Sequence, residues 1–290
     1  MPKNFTSNLQ NRAVARALTL WRQESGLSLS EVGKRVHWSS AKTSIMQNGL
    51  TLITDADVMA LALAYGINEE RRAPAFHGAQ RARDPRTFDL LTGGGVPCVE
   101  WTYPEVEREA NHLQVVALDV LPPLVRTPEY SAGLGSAQVG SVAARDHRQY
   151  LGSHREQVLR KLADGVSLRM DLVVGESVLR KPVGSALVMA DQLFGLASLA
   201  ELAAVQVFLV PDDVAAFAGA VSFSVLSFRE AQFDTVVYLD QLHGGTWLES
   251  EFERRPYVDT HERLMDVALP VDVTTERIVE AAQHFKNIAS

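Results

Sequence analysis

Cys98 is the only cysteine in 290 residues, so an intramolecular disulfide framework and a Cys-rich zinc site are both excluded. A single thiol suits a reducing cytoplasm. Long apolar runs are missing too: no stretch approaches the roughly 18 residues of a membrane span, and Met1 to Gln10 is too polar for a signal peptide. The chain therefore reads as soluble and cytoplasmic, with no membrane partner. Positive charge is scarce. Residues 1–70 hold 7 Lys+Arg against 6 Asp+Glu, residues 71–86 hold 5 against 1, and the remainder holds 16 against 28. A dedicated DNA binder concentrates cations in its reading domain, because phosphate neutralisation supplies much of the affinity.

Apolar residues make up 46% of the chain, enough to supply real cores. The first 66 residues punctuate into helices. Val14, Leu18 and Trp21 repeat at helical spacing, and Gly26 can adopt the left-handed conformation that ends a helix. Ser28-Leu29-Ser30-Glu31 is a capping box that opens a second helix, running to about Val36. Ser39 caps a third, which Asn48-Gly49 ends. Thr54 with Asp57 opens a fourth, carrying Val58, Leu61, Ala62 and Tyr65 on its apolar face. This pattern fits a helix-turn-helix domain; it also fits a small helical bundle with no role at DNA.

The spacing predicts an α+β chain: an all-α helix-turn-helix domain over 1–70, a linker over 71–100, and a ligand- or partner-binding domain over 101–290. Five arginines, three prolines and Gly93-Gly94-Gly95 mark the linker. The glycines lack the Lys and the strand-to-helix setting of a phosphate loop. In the larger domain, helices are expected at 103–115, 138–163, 185–201, 257–268 and 275–287, and strands at 166–174, 205–210, 221–228 and 235–239. The last three strands follow one another without a long helix between them, which predicts a mainly antiparallel sheet with flanking helices.

Gly26-Leu27-Ser28, Trp38-Ser39, Lys42, Ser44 and Asn48-Gly49 together resemble the Xre-type helix-turn-helix domain of actinobacterial regulators. The remainder resembles the large domain, of unassigned function, of the WhiJ-like group of these regulators. The stretches that carry this likeness are Leu121 to Tyr130 (LPPLVRTPEY), Arg155-Glu156-Gln157, Glu176 with Leu179 to Gly184 (LRKPVG), Val188-Met189 with Gln192-Leu193, and Val236 to Asp240 (VVYLD). The resemblance implies an antitoxin-like regulator that binds DNA, works beside a small partner protein and senses a ligand or a protein through its large domain.

Residues 39–58 depart from that pattern. Relatives place Gln at Leu29, Arg at Ile45 and a basic loop at Leu50 to Ile53. Losing about three cationic contacts flattens the salt dependence of binding by about three units, so DNA binding is expected to be weak or lost. Leu29, Ile45, Leu50, Leu52 and Ile53 would instead form an apolar interaction patch, packed on another domain or subunit or turned inward. Residues still able to contact DNA are Ser39, Ser40, Lys42, Thr43, Ser44 and Gln47, with Lys34 and Arg35 near the backbone. Gln47 could pair with adenine, although its counterpart in relatives is a Glu used structurally, and Ser39 reads first as a cap.

The larger domain offers candidate ligand contacts. Arg169 and Asp171 share a strand face; Glu176 and Arg180 are four apart on a helix; and Asp240, His243 and Trp247 frame a loop rim suited to ligand capture or acid–base work, or to a plain hairpin. His147 and His154 lie two helical turns apart, about 10 Å, too far for one metal. No cofactor or metal is called for. Three readings follow: a regulator with reduced DNA affinity and a sensor domain; a regulator-derived enzyme that has stopped binding DNA, an isomerase or cyclase acting on a small apolar metabolite of specialised metabolism; and a purely protein-binding module. A homodimer is a further expected partner state.

Overall fold

The computed structural model describes residues 5–92, 96–100, 102–137, 143–214, 221–241 and 244–289, with side chains of 135–153, 241 and 244 outside that description. Gly93-Gly94-Gly95, His243 and the side chain of His147 therefore lie outside the described residues. The chain divides into two compact units, Met1–Glu105 with Glu230–Asp234, and Val106–Arg229 with Thr235–Ser290.

The first unit is helical: α1 (Leu9–Glu24), α2 (Leu29–Val36), α3 (Ser40–Gln47), α4 (Asp55–Tyr65), α5 (Glu69–Arg83) and α6 (Pro85–Thr92). The helix starts follow the capping chemistry. Both boxes form, with Ser28 accepting from Glu31 N and Thr54 from Asp57 N, while Ser39 accepts from Lys42 N. Val14, Leu18 and Trp21 meet Val32, Met46, Val58 and Leu61 in one core. Gly33 fixes the tight turn between α2 and α3: a Cβ there would lie 2.5 Å from the Trp38 carbonyl oxygen, so only glycine admits this approach.

The arginine-rich stretch expected as a linker is instead mostly helical. Its first part, α5, packs on α1 and α4 through Ala75 and Ala79. Pro74 is inside that helix. It is the sixth residue, where its missing N–H leaves only the carbonyl of exposed Glu70 without a donor.

The second unit carries a six-stranded sheet in the order β3-β2-β1-β4-β5-β6. Its strands are β1 (His112–Ala117), β2 (Arg169–Gly175), β3 (Val205–Val210), β4 (Phe223–Ser227), β5 (Val236–Gln241) and β6 (Gly244–Leu248). Helices α7 (Tyr103–Glu109), α8 (Pro128–Ala137), α9 (Ala143–Asp164), α10 (Glu176–Arg180), α11 (Ala186–Ala200), α12 (Glu251–Val267) and α13 (Val271–Ala289) flank it.

Two expectations need correction here. The helix expected over 103–115 ends at Glu109, and His112–Ala117 is the central strand β1. β3 does not join β4 in an antiparallel run; it pairs with β2, and β2 with β1, both in parallel. The pairs β1–β4, β4–β5 and β5–β6 are antiparallel. A parallel neighbour needs a crossover, and α11 between β2 and β3 supplies part of it. The sheet is thus mixed, within an α+β architecture.

Alternate residues bury both faces. Val116, Val173, Val225 and Val237 pack beneath Leu264 of α12, while Leu113, Leu172, Val207 and Leu226 are buried on the other side.

Candidate functional site

The α2–α3 pair places the residues expected at DNA, and most of its polar side chains are already engaged. Thr43 is fully buried and donates its hydroxyl to the Ser39 carbonyl, so it cannot reach a base. Gln47 accepts from Arg22 Nε at 2.8 Å and donates to the Tyr65 hydroxyl at 2.8 Å, joining α1, α3 and α4. Burial pushes the Tyr65 phenol up to about 12, partly offset by that hydrogen bond. Lys42 sits 3.7 Å above the Trp38 ring and 3.6 Å from Asp57. Ser44 accepts from Asn48 through its carbonyl and hydroxyl oxygens. Ser39 acts as the cap, Ser40 is exposed, Lys34 is exposed, and Arg35 donates to the Ala64 carbonyl at 2.8 Å.

The apolar set divides. Ile53 is wholly buried, with its N–H on the Asn11 side chain, and belongs to the core rather than to a surface patch. Leu29, Ile45, Leu50 and Leu52 are half-buried.

In the larger unit, β1 and β2 build a polar cluster at one end of the sheet face under α12. Asp171 does not pair with Arg169, which is exposed; its carboxylate meets His112 Nε2 at 2.7 Å. Gln114, the register partner of Asp171, donates to His261 Nδ1 of α12 at 3.3 Å. His261 Nε2 is buried without a partner among the described residues. Burial pushes the His261 imidazole below its ordinary value, and the Asp171 carboxylate works against that shift. Sequence reasoning missed His112, Gln114 and His261. A helix drawn through 103–115 hides the alternation of His112 and Gln114 with Leu113 and Val115, which was the available signal.

Glu176 and Arg180 do pair, at 2.8 Å, as their spacing implies. Asp212 closes the network by binding Arg180 and accepting from Ser177 N, while its own N–H donates to Glu176. The group sits at the carboxyl ends of β2 and β3, a common ligand position in parallel sheets. Here two carboxylates neutralise its one cation. Asp240 is exposed in the β5–β6 hairpin opposite Gly245, and Trp247 meets Tyr238 with ring centroids 4.7 Å apart and planes tilted by 53°. His154 meets Glu107 at 2.6 Å with both side chains buried. No group of three metal-binding side chains occurs among the described residues, and no helix among them is long and apolar enough to cross a membrane.

A family model for a helix-turn-helix domain matches residues 13–75, the region of α1 to α4 and the start of α5. No curated protein and no solved structure matches the chain. A second family model, described as a domain of unknown function (DUF5753), matches residues 102–280. That span exceeds half of the chain, and the protein belongs to the DUF5753 family, with a helix-turn-helix domain of the transcription-regulator type at its N-terminal end.

Proposed function

We propose that the protein is a regulator of the Xre type, of the WhiJ-like group, whose helix-turn-helix unit binds DNA weakly and whose DUF5753 domain senses a ligand. One observation carries the weak-binding part: the third helix offers no uncommitted donor of length. Gln47 and Thr43 turn inward, and Lys42 is held by Trp38 and Asp57. The exposed cations of α2 and α3 are Lys34, Arg35 and Lys42. Three phosphate contacts give a salt slope of about −3, against about −10 for a strong operator binder. Half-buried Leu29, Ile45, Leu50 and Leu52 favour a second subunit or a small partner protein beside this face.

The test is a titration of duplexes selected from a random pool, at two salt concentrations. A slope no steeper than about −3 supports the reading. Selective, tight binding with a steep slope would falsify it.

A further inference from the structure

The sensing role proposed above requires a receptor site, and the polar groups in the sheet cluster and the Arg180 network are largely matched by protein partners. A different place has an unmatched cation beside apolar walls. The 3-10 turn Pro123–Val125 and the residues after it lie between α9 and α11. Gln192, fully buried on α11, clamps this segment: its Oε1 accepts from Thr127 N at 2.6 Å and its Nε2 donates to the Val125 carbonyl at 2.9 Å. From the other side, Arg155 Nε of α9 donates to the Leu124 carbonyl at 2.9 Å. Three stretches distant in sequence, 121–130, 155–157 and 188–193, thus meet at one place.

They enclose an open groove of ≈ 480 Å³, walled by Val125, Leu159, Leu199 and Leu202, with Ser198 and Arg155 along it. This volume lies within the range of about 300–1,000 Å³ usual for small-molecule sites. Its charges are unequal. Glu156 lies 3.7 Å from Arg160, so these two match each other at the rim. Among the described residues Arg155 donates through Nε alone, which leaves its terminal amino groups for a ligand. Burial pushes its guanidinium below the ordinary value, and only Glu156 acts in the opposite sense. A planar carboxylate suits the free fork of a guanidinium better than a point charge or a neutral hydroxyl does. One unmatched cation favours a monoanion.

We propose that the groove between α9 and α11 is the receptor site of the DUF5753 domain, and that it takes an elongated apolar monocarboxylate, its tail along Leu159 and Leu199 and its carboxylate on Arg155. Decanoate and 1-decanol are the probes, titrated calorimetrically into the full chain. Decanoate binds with a dissociation constant below about 1 mM, and the alcohol binds at least about tenfold more weakly. Arg155→Gln removes the preference for the acid. Ser198→Trp fills the groove, leaves Arg155 and its backbone contact in place, and abolishes binding of both probes. Absence of decanoate binding, equal affinity for the two probes, a preference that survives Arg155→Gln, or binding retained in Ser198→Trp each overturns the assignment. If Arg155→Gln does not fold, Ser198→Trp alone decides. Repeating the titration with duplex present separates the two readings. Decanoate that binds without changing duplex affinity sinks the sensing role and leaves the groove standing, whereas intact duplex binding without decanoate binding sinks the groove alone.

Discussion

The two units treat their buried polar side chains differently. In the helix-turn-helix unit Asn11 and Gln47 end on other side chains or on backbone, and the buried Arg12 guanidinium lies over the Phe233 ring, 4.0 Å from its centroid. Asn11 accepts from Ile53 N and donates to Ser7 Oγ and the Thr51 carbonyl, and Gln47 links Arg22 to Tyr65. In the DUF5753 unit, His154 Nδ1 and His261 Nε2 are buried without a partner among the described residues. A closed interior leaves recognition to the outer surface, and the outer surface of α3 is poor in donors. An interior with unused polar capacity is costly unless something compensates for it. Under the function proposed above, ligand chemistry belongs to the larger unit and the smaller one works through shape and a few cations.

The largest test of that contrast is at Glu107. Replacing it by Leu leaves His154 buried with neither ring nitrogen matched, and the chain should lose about 3 kcal/mol of stability, read from denaturant midpoints at constant slope. A loss within about 0.5 kcal/mol would mean that water already reaches the pair. Gln47→Leu comes next, at about 1–2 kcal/mol, because Tyr65 and Arg22 each lose one partner while both retain some access to solvent or backbone. Were Gln47 a base reader, stability would hold and sequence preference would fall instead.

His261 gives a smaller effect that depends on pH. Its imidazole sits below 6.5, so above that pH it is neutral in both folded and unfolded chains and its burial is not penalised. As pH falls below 6.5, the unfolded chain takes up a proton that the folded chain refuses, and stability declines by less than about 1.4 kcal/mol per pH unit. Asp171 limits the decline, and His112 and Glu262 are the other titratable neighbours. His261→Phe should flatten the acid side of the stability profile between pH 7 and 5. A profile that superimposes on the parent's assigns the slope to other groups.

What the residues revealed in advance follows from how local the determinants are. Caps, left-handed glycines and the 3.6-residue period act within one or two turns, so α2 to α4 and the end of α1 were legible to within about two residues. Pro74 misled, since it reads as a linker residue but sits sixth in its helix; Pro256 is likewise sixth in α12, which begins at Glu251 and not at the expected 257. β1 was hidden for a different reason. The alternation of His112 and Gln114 with Leu113 and Val115 is its one local sign, and the neighbours that make it a central strand come from residues 169–175 and 223–227. The candidate site shows the same split. The Glu176–Arg180 pair is a short-range contact and was visible; Asp171 with His112, and the groove at Arg155, need the fold to assemble them.

The smallest expected effect on stability belongs to Ile45→Arg, and it bears directly on the helix-turn-helix half of the comparison. Ile45 is half-buried on α3, next to Ser44 and one turn from Lys42. An arginine there can keep its aliphatic stem on the apolar neighbours while its charge reaches water, so stability should change by less than about 0.5 kcal/mol. Duplex binding should then tighten, with the salt slope steepening by about one unit for the added phosphate contact. If the apolar face is instead covered by a second copy of the chain, the same substitution loosens that association, and sedimentation shows a lighter species at equal protein concentration. Tighter duplex binding with unchanged mass means the face is open and merely short of charge. Unchanged duplex binding with reduced mass means protein has taken the place of DNA on it.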